Sequence, residues 1–164
     1  MSKPTEPSQK HIYHAALALL ARREHSSFEL KQKLQKRFCD CEPLIEQAIL
    51  KTQADGYLSD ERFATAYARS RWQKGFGPER ISNELKVKGI SSDLSAVALN
   101  SATEELDEAA IIERTWRKKF KLAPSDFNEK MKQIRFLRYR GFEQAQIESL
   151  FELLSLELAE SNRE

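Results

Sequence analysis

GYLSDERFATAYARSRWQKGFGPERISNELKVKGIS, residues 56–91, decides the fold. Ser59 followed by Asp60 and Glu61 is a helix start: a hydroxyl cap with two carboxylates at the positive end of the helix dipole. Phe63, Ala66, Tyr67 and Ser70 recur at helical spacing and mark an inner face, and Gly75 stops the helix. Pro78 suits the first turn of the next helix, whose Ile81 and Leu85 lie four apart on one face. Gly89-Ile90-Ser91 is then a glycine stop, an apolar plug and a fresh cap. A short third helix follows with Leu94, Val97, Ala98 and Leu99.

The same grammar extends in both directions. Upstream, Ala15, Leu19 and Leu20, then Leu30 and Leu34, then Leu44, Ile45, Ala48 and Ile49 define three helices, the second opened by a capping box from Ser26 to Glu29. Downstream, the series are Ala110, Ile111 and Trp116; Met131, Ile134, Phe136 and Leu137; and Ile147, Leu150, Phe151 and Leu154, with Gly141-Phe142 as the joint. The predicted fold is all-α: tandem three-helix, helix-turn-helix-like bundles in an elongated row able to curve. Its expected parts are a flexible arm at 1–12, units at 13–57, 58–104 and 105–156, and an acidic tail at 157–164. Units of this size have little core of their own, so neighbours are expected to share apolar faces, with adjustable placement around 101–107.

Composition agrees and excludes alternatives. Five Gly and five Pro in 164 residues are too few for a strand-rich fold. No apolar run approaches the roughly 20 residues of a membrane span, and the start lacks a signal-peptide core, so a cytoplasmic protein without a membrane partner is expected. Cys39 and Cys41 stand as one pair with no second pair at ligand spacing, which favours free thiols over a metal site. His11, His14 and His25 cluster near the start, and no nucleophile, base and orienting group converge. The chain is therefore expected to be neither an enzyme nor a cofactor binder.

The net charge of +2 conceals segregation. Between Arg114 and Arg140 ten basic residues stand against Asp126 and Glu129, a balance of +8, whereas from Gly141 onward six Glu face only Arg163. Around the Gly75–Pro78 turn lie Arg69, Arg71, Lys74, Arg80, Lys86 and Lys88. A charge run on a helix is ordinarily a solvated face, but short turns with basic flanks also suit a helix-turn-helix approach to DNA. In the second basic block, Trp116, Phe120 and Phe136 fall at core spacing, leaving Tyr139 and Arg140 for an exposed role.

Residues 56–91, together with LLARREHSSFELKQKL (19–34) and RFLRYRGF (135–142), resemble the bacterial RecX family, regulators of the RecA recombinase. The resemblance covers residues 14–154. It implies a monomeric, non-enzymatic protein that binds the RecA nucleoprotein filament in its groove or at its end. It would inhibit filament extension, ATP hydrolysis and strand exchange, and so restrain recombination and the DNA-damage response. Weak, non-specific DNA association is compatible with this. The alternative is a helix-turn-helix-type DNA-binding regulator. The motif matches at Arg71, Lys74, Gly75, Gly77, Pro78, Arg80, Ile81, Leu85, Lys88 and Gly89. Of these, Arg71, Lys74, Arg80 and Lys88 are the binding candidates, with Arg135, Arg138 and Arg140 as a second group. Unit 1 departs from the pattern by placing Phe38 and the cysteines where later units have a glycine stop.

Leu85 is placed on an inner face. Its truncation to Ala is expected to cost roughly 2–4 kcal/mol in urea unfolding, and a near-neutral effect would remove it from the core.

Overall fold

The computed structural model describes residues 8–104 and 106–161, and the described residues form helices without strands. α1 (Gln9–Leu20), α2 (Ser27–Arg37) and α3 (Glu42–Ala54) make unit 1; α4 (Asp60–Gln73), α5 (Pro78–Val87) and α6 (Ser92–Glu104) make unit 2; α7 (Glu108–Lys119), α8 (Phe127–Arg140) and α9 (Gln144–Ser161) make unit 3.

The local signals act largely as expected. Ser59 Oγ accepts the Arg62 N–H at 3.2 Å, and Pro78 is the first residue of α5. Gly75, Gly89 and Gly141 all stop helices at positive φ, +77°, +78° and +89°. In unit 1 the left-handed residue after α2 is Asp40, φ 62°, which lies further beyond the helix end at Arg37 than the glycines lie beyond theirs. A short Asp side chain tolerates this region without glycine, but the turn differs: the glycine stops are closed by bonds such as Ile90 N–H to the Leu85 carbonyl, whereas α2 ends on the Phe38 N–H to Leu34 carbonyl bond.

Three boundaries differ from expectation. The helix starts at Gln9, inside the stretch assigned to the arm, because Ser8 caps it by accepting the His11 N–H, and Ile12 is fully buried one turn ahead of Ala15 and Ala16. Residues 1–7 lie outside the described part. At the other end, α9 continues through the acidic stretch to Ser161, where Glu157 accepts from Arg117 at 2.8 Å; residues 162–164 lie outside the described part. Among the described residues of 101–107, α6 runs to Glu104, Ala102 is fully buried, and Leu106 lies against the same core.

Two cores result. Unit 1 closes its own around Ile12, Leu30, Leu34 and Ile45. Units 2 and 3 share one, in which Trp72, Ile81, Leu85, Trp116, Leu137 and Phe142 are buried together and the Trp72 and Phe142 rings lie 6.1 Å apart. Shared apolar faces thus join units 2 and 3. Unit 1 is attached mainly through polar bonds: Ser27 N–H to Asp60 at 2.7 Å, Lys88 to Glu29 at 2.7 Å, and Arg62 to Glu24 at 3.0 Å.

Both joints use one device. The start of each unit's second helix docks on the end of the next unit's second helix. Ser26 Oγ donates to the Lys88 carbonyl at 2.7 Å, just before Gly89, and the Gly77 N–H donates to the Arg140 carbonyl at 2.9 Å, just before Gly141. A Cβ on Gly141 would overlap the Arg80 backbone and Cβ, whereas one on Gly56 would meet nothing within 4 Å.

Gly141→Ala and Gly56→Ala share the strain of positive φ, about 1–3 kcal/mol, but only Gly141→Ala adds a clash. Urea unfolding should therefore show Gly141→Ala as clearly more destabilising; equal losses would mean the joint can relax at no cost.

Candidate binding face at the second and third units

Four of the seven candidate cations are committed to carboxylates. Arg71, in the last turn of α4, donates through Nε to Glu84 Oε2 at 2.6 Å, with its guanidinium 3.7 Å from the Phe76 ring centroid. Arg80 donates to Glu84 Oε1 at 3.1 Å and to the Tyr139 carbonyl at 3.3 Å, reaching from unit 2 to unit 3. Tyr67 donates its hydroxyl to Glu84 Oε2 at 2.9 Å. Lys88 reaches Glu29 of unit 1, and Arg138 reaches Glu79 of unit 2 at 3.3 Å.

Glu84 is the hub of this arrangement. Burial pushes its carboxyl up, but hydrogen bonds from Arg71, Arg80 and Tyr67 outweigh burial and hold it below its ordinary 4.5. Burial and the bond to Glu84 in turn push the Tyr67 phenol up to about 12. Glu29 behaves like Glu84: burial raises it, and Lys88 and Arg23 more than offset this. The expected capping box is accordingly half realised. Ser26 Oγ accepts the Glu29 N–H at 3.1 Å, while the Glu29 carboxylate turns outward to the two cations.

The other three candidates differ. Lys74 is exposed just after α4, Arg135 is exposed and donates to the Met131 carbonyl at 3.2 Å, and Arg140 is half-buried with its guanidinium 4.9 Å from Phe76 and 5.3 Å from Phe136. None of these three is paired with a carboxylate among the described residues. The structure brings Lys74 and Arg140 to one cavity at the unit 2–unit 3 junction, together with Arg114, Lys118 and Lys119 of α7; Arg135 does not line it. Sequence reasoning counted those α7 residues in the basic block without giving them a site. Their spacing, Arg114 and Lys118 four apart, was the available signal. Tyr139 is exposed as expected, and Trp116 is buried, donating to Gln133 at 2.7 Å.

An array of three-helix units with interlocked second helices and a cation-rich junction defines a tandem helical-repeat protein. The comparisons make this particular. Family models described as RecX first, second and third three-helix domains match residues 13–51, 59–99 and 106–151. The regulatory protein RecX of Legionella pneumophila (strain Corby) is 41% identical over 141 residues, covering 85% of this chain and 91% of that protein. That of Pseudomonas entomophila (strain L48) is 39% identical over 132 residues, covering 80% and 83%. The crystal structure of RecX from Lactobacillus salivarius superposes with a TM-score of 0.76 at 24% identity, covering 90% of this chain and 97% of that one. The chain belongs to the RecX family.

Glu84→Gln is expected to cost about 1–3 kcal/mol at neutral pH, as for hydrogen bonds to charged groups. Because the folded carboxyl titrates below 4.5, its contribution is complete above that value and lost as pH falls through the folded pKa. Urea unfolding of both proteins from pH 7 downward should show the gap close in acid; a constant gap would mean the charge does not matter.

Proposed function

We propose that this chain binds the RecA nucleoprotein filament, in its groove or at a growing end, and inhibits filament extension, ATP hydrolysis and strand exchange. By that route it restrains recombination and the DNA-damage response. Membership in a family of regulatory proteins supports a regulator's role. The observation carrying the reading further is the repeated joint, in which second helices interlock from unit to unit. Three modules held in register suit a partner that is itself a repeat, and several modest contacts then add through high effective concentration.

In this reading Lys74, Arg135 and Arg140 present charge outward, while Arg80, Lys88 and Arg138 act by fixing the joints and Arg71 by holding Glu84 within unit 2. Their carboxylate partners also weigh against a sequence-reading helix at the Gly75–Pro78 turn, since Arg71 and Arg80 are both directed to Glu84. Reversing Arg71 and Arg80 to Glu would thus repel Glu84 and test the fold as much as the binding.

The decisive measurement is RecA ATP hydrolysis on single-stranded DNA with this chain titrated in. Inhibition is expected well below one copy per RecA, because an occupied end affects many subunits. No inhibition at a saturating ratio overturns the proposal. A preference for particular duplex sequences in filter binding would instead favour the DNA-binding regulator.

A further inference from the structure

The junction cavity, about 190 Å³, is lined by Lys74, Arg114, Lys118, Lys119 and Arg140, with no carboxylate among its lining residues. Gly75 and the buried Thr115 contribute to its wall, and a Cβ on Gly75 would overlap the Thr115 side chain, so glycine lets α7 approach this closely. Two of the cations are oriented by Phe136: Lys119 Nζ lies 6.0 Å from the ring centroid and the Arg140 guanidinium 5.3 Å. Arg114 is positioned by donating to the Gln73 carbonyl at 2.9 Å.

The ordinary account of such a cluster is compensation of helix ends, for α4, α7 and α8 all terminate here. Magnitudes decide against it as a full explanation. Each C-terminus is equivalent to roughly half a negative charge, so three offset only about 1.5 of the cluster's charge. A substantial positive excess is left.

Nor does the cluster stop at the cavity rim. Lys119 also lines a neighbouring cleft of about 400 Å³ with Lys121 and Lys132. The one carboxylate in that cleft, Glu129, is held by the Ser125 N–H and hydroxyl, both at 2.9 Å. The two clusters therefore adjoin at Lys119, and seven cations can be followed from one to the other. An acidic protein partner is ordinarily held by a central apolar or aromatic anchor in a desolvated pocket. Here the Phe136 ring is already covered by two cations, and what is offered is a succession of charges. Charge distributed in this way, rather than gathered around an apolar anchor, is the complement of a polyanion.

We propose that this series, from Lys74 and Arg140 through Arg114, Lys118 and Lys119 to Lys121 and Lys132, is a track for the phosphodiester backbone of a nucleic-acid strand. It goes beyond the filament reading: it assigns the strand, rather than the recombinase, to this face, and it holds for the chain on its own.

The test is fluorescence anisotropy of a labelled oligothymidine of about 20 nucleotides with the full chain alone, across a salt series. Lys118→Glu/Lys119→Glu is compared with the charge-matched Lys36→Glu/Arg37→Glu on the exposed end of α2. Circular dichroism and thermal melts confirm that both are folded. The track predicts roughly a ten-fold or greater loss for the first variant, with the salt slope falling by about 1.4, two phosphates' worth for a single strand. The second should lose less than about two-fold. Equal losses, or none, overturn the track. So does an acidic polyglutamate peptide that binds as tightly as the oligonucleotide and loses binding in the same variant. Should Lys118→Glu/Lys119→Glu fail to fold, neutral Lys118→Gln/Lys119→Gln reads the same slope. RecA ATPase inhibition is measured separately: oligonucleotide binding that needs the track in a chain that never inhibits RecA sinks the filament reading alone, and inhibition without it sinks the track alone.

Discussion

The structure depends on helix ends meeting across units. An α-helix leaves donors unpaired at its start and acceptors unpaired at its end, and the two sets carry opposite partial charge. Here they satisfy each other between units. The Gly77 N–H donates to the Arg140 carbonyl at 2.9 Å and the Glu79 N–H to the Gly141 carbonyl at 3.1 Å, so the positive start of α5 abuts the negative end of α8. Such proximity is possible only if no side chain intervenes. A Cβ on Gly77 would overlap the Gly141 backbone, and one on Gly141 would overlap Arg80. The start of α2 meets the end of α5 through Ser26 in the same sense. The start of α8 is capped locally instead: Asp126 accepts the Glu129 N–H at 2.8 Å and Glu129 takes the Ser125 donors.

The two joints share this device but differ in what surrounds it. Between units 2 and 3 the interlock sits beside a common apolar core, so separating them would expose Trp72, Phe142 and their neighbours. Between units 1 and 2 the interlock is accompanied by ion pairs to Glu29 and Glu24 and by a backbone hydrogen bond from Ser27 to Asp60. Partly exposed pairs contribute little net stability, typically no more than about 1 kcal/mol each. Their directional bonds fix register instead. The row therefore consists of a firm two-unit block and a first unit whose attachment weakens with salt and in acid, as Glu29, whose carboxyl is held below its ordinary pKa, becomes protonated.

Much of this was legible because its causes are local. Gly75, Pro78, Gly89 and Gly141 act within their own turns, and Leu85 or Trp116 falls on an inner face by periodicity alone. What escaped was set by partners distant in sequence. Glu84 is four residues from Arg80 but thirteen from Arg71, and Glu29 lies in another unit from Lys88, so the charge pattern showed cations without showing what they face. The early start of α1 escaped for a different reason: Ser8 and Ile12 are single signals beside two prolines, and only burial against Leu30 and Ile45 gives them weight.

Charge in this protein thus has two separate tasks, and density alone does not distinguish them. Arg71 and Arg80 converge on one partly buried carboxylate, where removing a partner leaves an uncompensated charge whose desolvation has already been incurred. Evolution of the Gly75–Pro78 turn is therefore constrained by Glu84 as much as by any partner. Lys118 and Lys119, by contrast, are exposed and pair with no carboxylate among the described residues, so the fold loses little by changing them. Maintaining five cations around one junction is mildly destabilising through mutual repulsion. Helix ends offset only part of that repulsion, so the remainder is a cost the free protein bears and an anion would relieve.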